Sequence, residues 1–146
     1  MLASDLEKLF YYEIPISEKM GVKILTADPN KVTIHVPLQA NKNHKGTAFG
    51  GSQYSCCALA CYGLFLIGVR ELGYQTNNIV IANGNIKYKA PVKTDFLITA
   101  NWNDDSKNDF FKKLNLNKKA KVNIQALITS ENLICSEFNG DFVAIL

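Results

Sequence analysis

Asn41-Lys42-Asn43-His44-Lys45-Gly46-Thr47-Ala48-Phe49-Gly50-Gly51-Ser52 is a polar, glycine-bearing loop that runs straight into the most apolar stretch of the chain. From Ser52 to Leu72 the sequence predicts one long helix, closed by Gly73 as its C-terminal cap. No charged residue stands between Gly46 and Val69, and the apolar residues of the helix lie nearly all round it. Small residues are dense there: Ser55, Cys56, Cys57, Ala58, Ala60, Cys61, Gly63 and Gly68. A helix apolar on every side is enclosed by other structure, and small side chains let its neighbours come close. Length alone would let this stretch cross a bilayer, which takes about 20 apolar residues. However, Thr47, Ser52 and Gln53 interrupt its first third, and the densely apolar part from Cys56 to Val69 is short for a span. No aromatic or polybasic flank marks a membrane boundary. A core helix is expected, and no membrane span.

Working outward, strands are predicted on both sides. Gly21–Ala27 ends at the turn Asp28-Pro29-Asn30, and Lys31–Val36 follows with Val32, Ile34 and Val36 on one face. Thr33 and His35 take the other face, so His35 reads as solvated or dimer-facing rather than catalytic. Beyond the helix, Asn78–Tyr88 alternates Val80, Ala82, Gly84, Ile86 and Tyr88, and Phe96–Trp102 alternates Phe96, Ile98, Ala100 and Trp102. Lys121–Thr129 alternates Val122, Ile124, Ala126 and Ile128, and Leu133–Leu146 follows the turn Glu131-Asn132. Asp109–Leu114 reads as a short turn of helix. At the start, Ser4 and Glu7 spell a capping box for a helix ending near Glu13, before Pro15. One helix, two strands, a buried helix and four strands imply an α+β fold: an antiparallel sheet wrapped around one long central helix. Residues 1–146 are read as a single domain.

Composition limits the function. With 146 residues, 47% hydrophobic and 20% charged, the chain is of ordinary globular make-up, and a net charge of +3 does not imply nucleic acid. Lys107, Lys112, Lys113, Lys118, Lys119 and Lys121 do cluster. Such a cluster either is solvated or holds an anionic ligand or an acidic surface; no aromatic interleaving points to nucleic acid. Three of the four cysteines (Cys56, Cys57, Cys61, Cys135) fall in the apolar helix, with no Cys-x-x-Cys pair and no histidine cluster. Buried reduced thiols, no metal site and no cofactor are expected. The amino terminus has no basic segment before an apolar run, so it is not a secretory signal. Together these favour the cytoplasm.

The chemistry points to the loop–helix junction. The first amides of a helix have no partner within it, and the aligned peptide dipoles place partial positive charge there. Glycine lets a ligand approach such amides, and an oxygen gaining charge during acyl transfer would be stabilised by them. Gly50, Gly51 and Ser52 are thus candidate oxyanion donors; the plainer alternative is a tight opening turn.

At this point the run Asn-x-x-Gly-Thr-x-Phe-Gly-Gly-Ser before a small-residue helix, with Asn85-Ile86-Lys87-Tyr88-Lys89-Ala90-Pro91 on a later strand, resembles the hotdog-fold thioesterases. It is nearest to the thioesterase-type domain that some bacteria fuse behind an acetyltransferase domain. The likeness extends over most of the chain, Ile14-Pro15 and Met20-Gly21 included. It implies hydrolysis of an acyl-CoA or acyl-carrier-protein thioester by a homodimer or tetramer. It also implies that Asn43, seven positions before Gly50, orients the attacking water, and that the Gly50 amide binds the oxyanion. The acid that related enzymes often carry seven positions after the second glycine is Ala58 here, and the usual His-Gly-Gly is Phe49-Gly50-Gly51.

For the missing acid, His44 is a candidate base or a solvated loop residue. Ser55 is a candidate to hold water or attack weakly, or else a small packing residue. Asn83, on the strand that in this fold commonly pairs with its copy across the dimer, either enters the partner's site or packs at the interface. Asp95 is an acid close after Pro91, but it falls at a strand start and does not stand as the acid alone. Tyr54, Leu59 and Phe65 are expected along an apolar acyl channel, with Ser52, Lys112 and Lys113 as further substrate contacts. The competing reading is a non-catalytic acyl-CoA or lipid-binding module, favoured by Ala58. A dehydratase fits poorly, since no histidine and acid are suitably paired.

Overall fold

The computed structural model describes residues 1–146. Its elements are α1 (Ala3–Glu13), α2 (Ile16–Lys19), β1 (Lys23–Ala27), β2 (Lys31–Val36), α3 (Gly50–Glu71), β3 (Ile79–Tyr88), β4 (Phe96–Asn101), α4 (Asp104–Asn117), β5 (Lys119–Ser130) and β6 (Leu133–Ile145). The strands form one six-stranded sheet in the order β1-β2-β4-β5-β6-β3, and every pairing is antiparallel. The predicted period of two holds in β2, β4 and β5: Val32, Ile34, Val36, Phe96, Ile98, Ala100, Val122, Ile124, Ala126 and Ile128 are all buried. Together with Phe138, Phe142 and Ala144 of β6 they form the sheet face that packs on α3. The expected α+β layout, a sheet wrapped around one central helix, is present.

Helix α3 is held from both sides. A Cβ on Gly63 would stand 3.0 Å from Leu6 and Phe10 of α1, and one on Gly68 would stand 2.6 Å from Trp102. The glycines therefore admit bulky side chains of neighbouring elements rather than their backbone. The helix is long and apolar enough to cross a membrane, yet 72% of its most apolar window is buried inside the protein.

Local signals behave as their chemistry demands. Asp28 Oδ1 accepts from the amides of Asn30 and Lys31 at 2.8 and 2.9 Å, closing the β1–β2 turn. Glu131 and Asn132 both have positive φ (53° and 63°), the pattern of a two-residue hairpin turn. Three expectations need correction. Ser4 does not cap α1, which opens after Leu2 with no side-chain cap, because Glu7 reaches across to accept from the Ile24 amide at 2.9 Å instead. The short turn expected at Asp109–Leu114 is a 14-residue helix, capped by Asn103 Oδ1 on the amides of Asp105 and Ser106.

The third concerns β3. Its register against β6 shifts between Ile81 and Asn83, so Ala82 is bulged. The bulge exchanges faces: Ile79 and Ile81 lie opposite Ala144 and Phe142, and Gly84, Ile86 and Tyr88 lie opposite Gly140, Phe138 and Ser136. The continuous row Val80, Ala82, Gly84, Ile86, Tyr88 is thus broken, with Val80 and Ala82 on the outer side. As an edge strand β3 is largely exposed, Val80 and Tyr88 included.

Candidate active site at the start of the central helix

The loop before α3 is built by its asparagines. Asn41 is buried, and its Nδ2 donates to the carbonyls of Met20 and Pro37, both at 2.8 Å. Its own carbonyl receives the Phe49 amide at 2.7 Å. Asn43 Oδ1 accepts from the amides of Lys45 and Thr47 at 2.9 and 3.2 Å, and its Nδ2 donates to Thr47 Oγ1 at 2.9 Å. These contacts fold residues 43–47 into a tight turn, leaving one N–H of Asn43 free. His44 is exposed at that turn and makes no hydrogen bond.

The turn delivers the chain to the helix with its amides open. Ala48 N donates to Val92 O and Phe49 N to Asn41 O, while Gln53 N makes the first bond of the helical ladder, to Phe49 O at 3.0 Å. Between them, the amides of Gly50, Gly51 and Ser52 have no acceptor in the protein, and Phe49 offers no side-chain cap. Helix geometry aims all three beyond the helix end, where the dipole favours negative charge.

Two hollows flank this end. A cavity of about 320 Å³ is lined by Ala48, Gly50, Gln53, Tyr88, Lys89, Ala90 and Pro91. A larger apolar groove of about 460 Å³ runs beside α3, among Ile16, Met20, Tyr54, Ser55, Ala58 and Tyr62. Gly51, Ser55, Ala58 and Tyr62 follow one another at helical spacing, so the groove continues toward the exposed Gly51. Tyr54 lies between the hollows, its hydroxyl over Gly84 where a Cβ would stand 2.1 Å away, and its ring edge-on to Phe138.

The polar groups around Gly50 come from the sheet. Tyr88 Oη donates to the Gly50 carbonyl at 2.7 Å. Partial desolvation, with the neighbouring Cys57 and Tyr54, raises the Tyr88 phenol above its ordinary pKa. Buried Ser136 donates to Gln53 Oε1 at 2.6 Å, and Gln53 Nε2 donates to Ala48 O at 3.1 Å. Lys89 pairs with Glu137 at 2.8 Å across the rim. Neither hollow is lined by a carboxylate.

Among the residues expected from sequence, the fold brings together Gly50, Gly51, Ser52, Tyr54 and Ser55. Leu59 lines the groove as expected. Phe65 does not: it is fully buried in an aromatic cluster with Trp102, Phe110 and Phe142. Asn83 lies on the outer sheet face, opposite Asp141 of β6. Lys112 and Lys113 are exposed on α4, and Lys113 pairs with Asp109 at 2.9 Å. That helix meets α3 at Gly68, through Phe111. At 1.5 Å per residue, the contact is about 27 Å along α3 from Gly50. Asp95 is occupied in anchoring the loop, accepting from Leu38 N at 2.8 Å and facing His35 at 3.5 Å. Tyr88, Gln53 and Lys89 were missed by sequence reasoning; the only signal was the strand motif ending at Pro91, which contains Tyr88 and Lys89.

An antiparallel sheet wrapped around one long central helix is the hotdog fold. Residues 3–146 match a family model described as "Putative thioesterase (yiiD_Cterm)", and the chain belongs to that family. It is similar to a "putative thioesterase" from Shewanella oneidensis, with 26% identity over 99% of this chain and 97% of that one, at a TM-score of 0.88. A protein of unknown function from Chlorobaculum tepidum gives 29% identity over 98% and 93% of the two chains, at a TM-score of 0.90. Thioesterase superfamily member 2 from Mus musculus shares the fold at 15% identity, covering 95% and 94%, with a TM-score of 0.71.

Proposed function

We propose that this chain hydrolyses an acyl-CoA or acyl-carrier-protein thioester. The observation that carries the reading is the set of three uncommitted amides at Gly50, Gly51 and Ser52, opening beside an apolar groove. In this reading the carbonyl oxygen sits on these amides and the acyl chain lies in the groove between Tyr54 and Tyr62. The free N–H of Asn43 and the Ser55 hydroxyl orient the water, and His44 is the candidate base. A homodimer goes with this scheme, since β3 is an exposed sheet edge carrying Val80, Ile81 and Tyr88. A second copy would close the groove and bring its own side chains to it. All four cysteines are free thiols, which fits a cytoplasmic setting.

One observation favours a second reading, an acyl-binding module without turnover. Ala58 stands in the groove where related enzymes often carry the acid, and no carboxylate lines either hollow. Incubation with acyl-CoA and a thiol-reporting dye separates the two, because binding without released thiol supports the module. For the enzyme, Gly51→Pro removes one amide in the first helical turn, where proline is tolerated, and Asn43→Ala removes the water-orienting group. Each is expected to lower turnover at least about ten-fold. Unchanged rates in both would remove the assigned site.

A further inference from the structure

Two sheet residues grip the chain where α3 begins, and their targets differ in one respect. Ser136, acting through Gln53, secures the Ala48 carbonyl, whose peptide partner, the Phe49 amide, is already bonded to Asn41 O. Tyr88 secures the Gly50 carbonyl, whose peptide partner is the uncommitted amide of Gly51. The Gly50 carbonyl does not need Tyr88 for satisfaction, because the helical ladder offers it the amide four residues on. Nor is Tyr88 a buried anchor, being 53% exposed at the end of an edge strand. The approach is nonetheless close: a Cβ on Gly50 would stand 3.1 Å from the Tyr88 oxygen.

We propose that Tyr88 is a positioning residue that strengthens the Gly51 amide as an oxyanion donor, acting through the Gly50–Gly51 peptide bond. A proton shared with the carbonyl oxygen draws electron density across the conjugated peptide and leaves the N–H more positive. Chained hydrogen bonds reinforce one another by about 10–30% per bond. The same contact ties the bulged edge strand to the helix start, so the donor keeps its direction as charge develops on the substrate. The effect belongs to the transition state, where the oxygen is most negative, and it acts on kcat rather than on KM. This rests on the thioester reading above.

The test uses the full chain with Tyr88→Phe and with 3-fluorotyrosine at position 88, assayed at a pH below the ionisation of the fluorinated phenol. Tyr88→Phe is expected to lower kcat by about five- to ten-fold with KM held within about two-fold. Fluorotyrosine, a more acidic donor, is expected to raise kcat above the wild-type value, a response that a merely structural ring would not give. Independently of turnover, the infrared carbonyl stretch of a bound ketone isostere of acyl-CoA should rise in frequency in Tyr88→Phe. A wild-type protein that hydrolyses thioesters while Tyr88→Phe leaves both kcat and the stretch unchanged overturns the role of Tyr88 alone. Binding of the isostere without hydrolysis overturns the enzyme reading, and the carbonyl stretch still decides on Tyr88. Failure to bind it at all removes both.

Discussion

The two ends of α3 carry glycines of nearly equal crowding and opposite meaning. At Gly68 a Cβ would stand 2.6 Å from the Trp102 ring, and at Gly51 it would stand 2.5 Å from the Phe49 ring. Trp102 is fixed, packed against Phe65, Phe110 and Phe111, with its indole N–H donated to Pro29 O at 2.9 Å. Phe49 is 56% exposed at the helix opening. One end is an aromatic plug that holds the sheet, helix α4 and α3 together. The other is left open, its amides unpaired. The contrast shows that a short distance signals constraint only where the neighbour cannot move. It predicts first that Gly68→Ala, one added methyl, destabilises the protein by roughly 1–3 kcal/mol through overpacking. Chemical denaturation measures this. A loss below about half a kcal/mol would mean that the plug yields, and that the two ends do not differ as described.

That asymmetry was half visible in the sequence. The small-residue helix, its cap at Gly73 and the alternation in β2, β4 and β5 were legible, because buried apolar positions repeat with the period of their element. The bulge at Ala82 was not, since Val80, Ala82, Ile86 and Tyr88 alternate as though the strand were regular, and only the register against β6 shows the slip. Helix α4 was read short because only Phe110 and Leu114 are buried in it, so most of its length carries no apolar period. At the candidate site, the unpaired amides of Gly50 and Gly51 were legible from backbone chemistry. Tyr88 and Gln53 were not, because their role depends on contacts 38 and 83 residues apart in sequence.

Between the two ends lie three buried thiols, and they give the next prediction. Burial pushes Cys56 up from 9.0 to about 12, and Cys57 and Cys61 are raised as well. The folded protein holds these thiols neutral, whereas the unfolded chain releases their protons near the ordinary value. Their stabilising contribution is therefore complete below pH 9.0 and falls as pH rises beyond it toward the folded value. The decline is about 1 kcal/mol for each thiol over the first full pH unit past the unfolded pKa, and it steepens toward about 1.4 kcal/mol per unit beyond that. Denaturation midpoints measured on both sides of pH 9.0 should follow this slope, and Cys56→Ala, Cys57→Ala or Cys61→Ala should each reduce it. A slope indifferent to all three substitutions would show that other groups set the alkaline limit.

The smallest effect is expected at the more crowded of these two glycines. Gly51→Ala places its methyl against the Phe49 ring, which is free to rotate into solvent, and it relieves the entropic penalty of glycine in a helix. The two terms oppose each other, so stability should change by no more than about half a kcal/mol in either direction. Turnover should fall less than in Gly51→Pro, because alanine keeps the N–H that proline removes. If alanine instead abolished activity as fully as proline, the bare Cα and the seat it gives the Phe49 ring would matter more than the amide. If alanine destabilised the chain as much as at Gly68, Phe49 would be held as rigidly as Trp102, and the start of the helix would be a packed end like the other.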